Sequence, residues 1–188
     1  LEMTATDIGA DFSLAEYLDR ESALFAETRA VLESSIPPEE QVPGNRYWKG
    51  SPNYQWNFAT DWNRTFQLVP AEPRGGALLL HGLTDSPYSL RALANALFAR
   101  GYYVLVLRLP GHGTVPASLE RATWQDWLAA THLGARTVRE QIGSDLPFVM
   151  VGYSNGAALA VKHQLDALDD PALPRASRIL LLSPMIGI

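Results

Sequence analysis

Four short stretches of this chain are apolar from end to end: "ALLLHG" at 77–82, "YYVLVLRL" at 102–109, "PFVMVG" at 147–152 and "RILLLSP" at 178–184. A strand with one face in water alternates apolar and polar residues, whereas a strand covered on both faces does not. Four such runs demand layers on both sides of a sheet. The segments between them carry helical spacing. Ser86-Pro87 opens one, with Leu90, Leu93, Ala94, Leu97 and Phe98 on a face and Gly101 just past its end. Thr123 opens a second, where Trp124, Leu128, Thr131, Ala135, Val138 and Ile142 step along one stripe. A third runs from Asn155 to about Leu168. Strand and helix in strict alternation predict an α/β domain with a mainly parallel sheet and helices on both faces.

Two segments precede this pattern. Residues 13–34 read as an amphipathic helix. Ser13 and Glu16 have the spacing of a capping box, and Leu14, Tyr17, Leu18, Leu24, Phe25, Val31 and Leu32 follow helical periodicity. Its polar face is mostly acidic, which favours packing against the domain over membrane attachment. Pro37-Pro38 ends it. Within residues 43–73, Tyr54, Trp56 and Phe58 alternate, as do Phe66 and Leu68. That pattern predicts two antiparallel strands joined near Asp61 to Asn63. The expected organisation is an N-terminal helical extension over 1–40 followed by the α/β body over 41–188.

Composition narrows the function. A formal net charge of −5 leaves no basic field to offset phosphate repulsion, so nucleic acid is not an expected partner. The chain has no cysteine, which excludes disulfides, thiolate metal sites and a cysteine nucleophile. The histidines at 81, 112, 132 and 163 show no metal-ligand pairing, and no metal or other cofactor is expected. No apolar run approaches the roughly 20 residues of a membrane span. The first residue is Leu1 rather than methionine, so an upstream segment remains open, as does the choice between cytoplasm and periplasm.

In a parallel α/β sheet the functional loops lie at the carboxyl ends of the strands. Three such ends stand out: His81-Gly82-Leu83, Pro110-Gly111-His112-Gly113, and Gly152-Tyr153-Ser154-Asn155-Gly156. The last has the form G-x-S-x-G between a strand and a helix. A serine at the apex of such a turn is lifted to a helix N-terminus, where the helix dipole favours developing negative charge. The flanking glycines make room for strand and helix to pass closely. Ser154 is therefore the candidate nucleophile. Acyl transfer also needs amides aimed at the oxyanion. The amide of Asn155, directly after the nucleophile, is one candidate, and the amide of Leu83, after the first buried strand, is the other. His81 and His112 are expected to anchor loops. Asp85 is expected to do the same, and Asp126 to complete a capping box with Thr123.

The sequence "GGALLLHGLTDSPYSLRALANALFARGYYVLVLRLPGHG", then "TWQDWLAA", then "VMVGYSNGAALA" resembles the α/β-hydrolase superfamily, and within it the bacterial carboxylesterase and monoacylglycerol lipase group, near the serine aminopeptidase group. The resemblance covers residues 65–188. It implies an α/β-hydrolase fold truncated after the sixth strand, a nucleophile at Ser154, an oxyanion hole from Leu83 and Asn155, a small-molecule or lipid ester substrate, and no cofactor. Asn155 departs from the pattern, since relatives often carry an apolar residue there; only its amide is required.

A serine hydroxyl needs a histidine to take its proton and a carboxylate to orient that histidine. In this fold the order is serine, acid, histidine. His163, the only histidine after Ser154, lies nine residues along the same predicted helix, well over 10 Å away at ~1.5 Å per residue. Asp166, Asp169 and Asp170 share that problem. The acid and histidine are therefore expected on the C-terminal half of the domain, as a missing part or a second polypeptide chain, and the 188 residues alone are expected to be inactive. The competing readings are a peptidase or thioesterase on the same machinery, and a non-catalytic binding protein that keeps the fold.

Overall fold

The computed structural model describes residues 2–186. Its centre is a five-stranded sheet formed by β1 (Phe66–Leu68), β2 (Gly75–Leu80), β3 (Tyr102–Leu107), β4 (Phe148–Tyr153) and β5 (Arg178–Leu182). The strand order is β1-β3-β2-β4-β5. All neighbours are parallel except β1, which runs antiparallel to β3 with Phe66 opposite Val106. Four helices accompany it: α1 (Leu14–Ser35), α2 (Arg91–Phe98), α3 (Trp124–Ile142) and α4 (Asn155–Asp169).

The uniformly apolar strands divide their side chains between two cores, as a period of two requires. Leu78, Leu80, Leu105, Leu107 and Met150 join α3 and α4 through Leu128, Leu133, Val138, Leu159 and Ala160. Met3, Ile8, Leu14 and Tyr17 extend that core into the N-terminal segment. On the opposite face Ala77, Leu79, Val104, Val106 and Val151 pack with Leu90 and Ala94 around α2. Each fully buried Leu or Val contributes roughly 1.5–3 kcal/mol. Helices thus cover both faces, as the patterning implies.

The helix starts follow their caps. The Ser13 hydroxyl accepts from the Glu16 amide, and the Glu16 carboxylate accepts from the Ser13 amide, closing the expected box at α1. Thr123 and Asp126 do the same at α3. Asp126 also accepts from the Ala5 amide at 2.6 Å, which ties the N-terminal segment to that cap. The segment opened by Ser86-Pro87 begins as a 3-10 turn over Pro87–Leu90 before α2 forms, and Gly101 takes a φ of 84° just beyond it.

Two expectations are corrected. Residues 54–58 form no strand: Gln55–Asn57 is a 3-10 turn, and β1 finds its antiparallel partner in β3. Tyr54 is buried, its ring meets Trp56 edge-on at 5.1 Å, and its hydroxyl bonds Glu33. Contacts to α1 claim these aromatics, so the sheet holds five strands rather than six. The run at 178–182 is a strand but not one buried on both faces. Ile179, Leu180 and Leu182 are 36%, 44% and 40% exposed, because β5 is an edge of the sheet. No helix among the described residues is long and apolar enough to cross a membrane.

Candidate active site

The carboxyl ends of β2, β3 and β4 converge on one rim. Backbone strain concentrates there. Three described non-glycine residues have positive φ, and they follow three neighbouring parallel strands: Thr84 (60°) after β2, Ser154 (52°) after β4 and Ser183 (46°) after β5. Gly111 and Gly113 turn the chain beyond β3 with φ of 82° and 78°. Such conformations cost on the order of 1–3 kcal/mol at a non-glycine residue and persist only where the surroundings enforce them.

At Ser154 the enforcement is visible. It caps α4 with φ 52° and ψ −113°, and its side chain makes no capping hydrogen bond. Its amide donates to the Leu182 carbonyl at 2.9 Å, and its carbonyl accepts from the Met185 amide at 3.1 Å. β4, α4 and β5 therefore grip the residue by its backbone and leave the hydroxyl unengaged. The glycines are required by close approach. A Cβ at Gly152 would lie 2.3 Å from the Gly156 carbonyl oxygen, and one at Gly156 would lie 2.2 Å from that of Leu80. No real Cβ tolerates either contact.

The β2 loop lies against this turn. A Cβ at Gly82 would come within 3.0 Å of the Tyr153 ring and 3.4 Å of Ser154 Cβ, so the Gly82-Leu83 backbone runs directly beside the serine. Neither the Leu83 nor the Asn155 amide donates to another described residue. Free amides beside a serine at a helix N-terminus are the kind of donor that can stabilise negative charge developing on a bound carbonyl oxygen. The Leu83 side chain is 41% exposed, while that of Asn155 is buried and its Nδ2 has no partner among the described residues. The departure at Asn155 thus places a buried amide under the turn, not a polar group over it.

The histidines are structural. His81 is fully buried. Its Nε2 accepts from the Leu109 amide at 3.0 Å, which leaves Nδ1 to donate to the Gly82 carbonyl at 2.9 Å. Burial and the neighbouring His112 push its pKa down to about 3. With both nitrogens engaged it cannot take a proton from Ser154; it fastens the β2 loop to the end of β3, as expected. His112 is buried, donates from Nδ1 to the Pro110 carbonyl at 2.9 Å, and packs edge-on between His81 and Trp127. Burial lowers its pKa as well. His163 lies within α4, where its Nδ1 pairs with His132 Nδ1 at 2.8 Å and its Nε2 donates to the Pro174 carbonyl at 3.0 Å. Asp85 accepts from the Ser89 hydroxyl at 2.6 Å, anchoring its own loop. Among the described residues no group of three or more His, Asp or Glu side chains could hold a metal ion.

A cavity of about 220 Å³ opens beside the β2 loop, lined by Arg46, Asn63, Thr84, Asp85, His112 and Leu119 among others. Arg46 carries no signal in the sequence, and Asn63 stands out there only as a turn residue. Their stretch carries no periodicity that would bring them to the rim.

Residues 77–188 match the profile of the Alpha/beta hydrolase family. The chain belongs to that family. It is 37% identical over 86 residues to a thermostable monoacylglycerol lipase of Bacillus sp. (strain H-257), a match covering 46% of this chain and 33% of that enzyme. A solved structure reported for the metagenome-derived lipolytic enzymes LipS and LipT shares 31% identity at a TM-score of 0.55, covering 65% of this chain and 46% of that one. The α/β-hydrolase chain described here thus spans a third of the length of that curated relative and under half of that solved structure. In this family member β3, β4, β5, most of β2, the strained serine and Gly82, Gly152 and Gly156 lie inside the matched region, while β1 lies outside it.

Proposed function

We propose that the protein is a serine hydrolase of carboxylic esters, esterase- or lipase-like, that works through an acyl-enzyme on Ser154. The observation that carries this reading is the conformation of Ser154, held at φ 52° on a helix N-terminus beside the Gly82-Leu83 backbone. Ser154 Oγ attacks the ester carbonyl carbon. The carbonyl oxygen becomes an oxyanion between the Leu83 and Asn155 amides. Collapse of the tetrahedral adduct expels the alcohol, and water then releases the acid. The names of the relatives, a monoacylglycerol lipase and lipolytic enzymes, support a lipid or small-molecule ester as substrate. The histidine and carboxylate that complete this chemistry belong, in this reading, outside the described residues, on a C-terminal half in the same or a second polypeptide.

A fluorophosphonate probe tests this directly. The whole protein labels at Ser154 and Ser154→Ala does not, with a loss of at least about a thousandfold in ester turnover. The 188-residue chain alone labels slowly and turns over esters poorly. Failure of the whole protein to label removes the catalytic reading and leaves a binding protein on the same fold. p-Nitrophenyl esters compared with amino-acid amides and acyl thioesters then separate an esterase from a peptidase or thioesterase.

A further inference from the structure

Arg108, directly after β3, is the largest fully buried side chain among the described residues. A buried guanidinium needs compensation, and this one has an unusual amount. Its Nε donates to Glu21 at 3.1 Å, and its two terminal nitrogens reach the Glu2 oxygens at 3.1 and 3.2 Å. One of them also donates to the His112 carbonyl at 2.9 Å. The backbone of Arg108 is held just as firmly. Its amide donates to Thr65 Oγ1 at 3.0 Å, and its carbonyl accepts from Tyr17 Oη at 2.6 Å. Thr65 in turn gives both its amide and its hydroxyl to Glu21. Burial opposes the charge on Arg108, but the Glu2 and Glu21 carboxylates outweigh it and keep the guanidinium ionised.

The next links lead to the candidate oxyanion hole. Leu109, one residue on, donates its amide to His81 Nε2. That bond dictates which nitrogen of His81 carries the proton, and this proton goes to the Gly82 carbonyl. The carbonyl of Gly82 and the amide of Leu83 belong to one rigid peptide plane. Fixing the carbonyl fixes the direction of the Leu83 N–H, and donating to the carbonyl strengthens the peptide as a donor at its other end. His112, whose carbonyl Arg108 holds, packs its ring against that of His81 at 4.8 Å. Two routes thus run from Arg108 to the same imidazole.

We propose that Glu2 and Glu21, by clamping Arg108, position the Leu83 amide for oxyanion binding, so that the N-terminal segment outside the family-matched residues sets the turnover rate of the rim. The proposal rests on the reading of Leu83 as an oxyanion donor. Glu2, Glu21, Tyr17 and Arg108 are positioning residues: they act through His81 and touch no substrate.

The test uses the whole protein and Glu2→Gln, which removes one charge of the clamp at its more accessible end. Turnover of p-nitrophenyl butyrate falls about tenfold with KM within about twofold, a part of the loss expected when a whole donor is removed. A trifluoromethyl ketone, whose adduct on Ser154 carries an oxyanion, loses affinity by the same factor, while a non-hydrolysable ether of the same length binds as before. Glu2→Asp, which keeps the charge, recovers part of the rate. Tyr17→Phe, which keeps the ring and drops only the bond to the Arg108 carbonyl, is the second variant should Glu2→Gln melt below assay temperature; it shifts turnover and ketone affinity in the same direction by a few-fold. Folded variants with unchanged turnover and ketone affinity overturn the clamp, as does an equal loss of ether and ketone binding. A wild-type protein that neither labels with fluorophosphonate nor cleaves esters overturns the ester reading instead.

Discussion

Ser154 has two unlike flanks. Toward β2 and β3 the supporting groups are buried and interlocked: the Gly82 backbone lies close to the serine turn, His81 holds Gly82, Leu109 holds His81, and Arg108 is locked by two carboxylates and a tyrosine. Toward β5 the serine is gripped only by its backbone, through Leu182 and Met185, and the strand beyond shows its side chains to solvent. In the proposed reaction the rigid flank is the one that carries the oxyanion donor, and donors that must reorganise during the reaction lose much of their effect.

The contrast can be broken most severely at Arg108. Arg108→Met removes one partner of a buried charge cluster and leaves Glu21, which is 2% exposed, without its counter-ion. Breaking such a cluster costs about 3–5 kcal/mol. The expected outcome is a loss of that size in chemical denaturation, or failure to fold. A cost below about 1 kcal/mol would mean the cluster is more hydrated than its burial implies.

Gly156→Ala comes next. Its Cβ would press on the Leu80 carbonyl oxygen, and backbone on both sides offers no rotamer to escape into. Overpacking of this kind costs about 1–3 kcal/mol, and α4 must move relative to β2. Fluorophosphonate labelling should fall more than the melting temperature suggests, because the same movement carries Ser154 away from Leu83.

These two sites differ in how legible they are in the sequence. The turn around Ser154 could be read outright, because glycine–x–serine–x–glycine between an apolar run and an alanine-rich helix has one steric meaning. The two capping boxes were equally readable, since their partners sit three residues apart. The clamp could not be read: Glu2, Glu21 and Arg108 are far apart in sequence, and a lone arginine after an apolar strand looks like an ordinary surface residue. Residues 54–58 misled for a related reason. Alternating aromatics satisfy a strand pattern, but here Tyr54 and Trp56 meet α1 while Phe58 is exposed, and only the tertiary packing distinguishes the two.

Acidification probes the rigid flank together with the packing of α3 on α4. All four histidines have pKa values lowered first of all by burial, His81 to about 3 and His132 to about 4, with His112 and His163 shifted in the same direction. In the unfolded chain each titrates near 6.5. The unfolded state therefore binds more protons below that pH. The stabilisation is complete above about pH 6.5 and is lost as pH falls toward 4 and then 3. Each proton contributes up to roughly 1.4 kcal/mol per pH unit to the slope. Denaturation midpoints at pH 7.5 and pH 5 should differ in that direction, and His132→Asn should flatten the slope by about one proton's share.

The smallest effect is expected on β5. Leu180 is 44% exposed on a strand whose outer edge is unpaired. Replacing it with lysine removes little buried area, so stability in the 188-residue chain should change by no more than about 0.5 kcal/mol. Its association should change far more. An apolar edge with free backbone groups is a template for pairing with another strand, and a lysine there discourages it. Leu180→Lys should therefore shift this chain toward monomer in analytical ultracentrifugation at nearly constant melting temperature. If the proposed C-terminal half covers this edge in the whole protein, the same substitution should instead lower the melting temperature there. Equal, near-zero effects in both would mean that β5 remains an edge in the complete protein, and the asymmetry between the flanks of Ser154 would then be a property of the finished site.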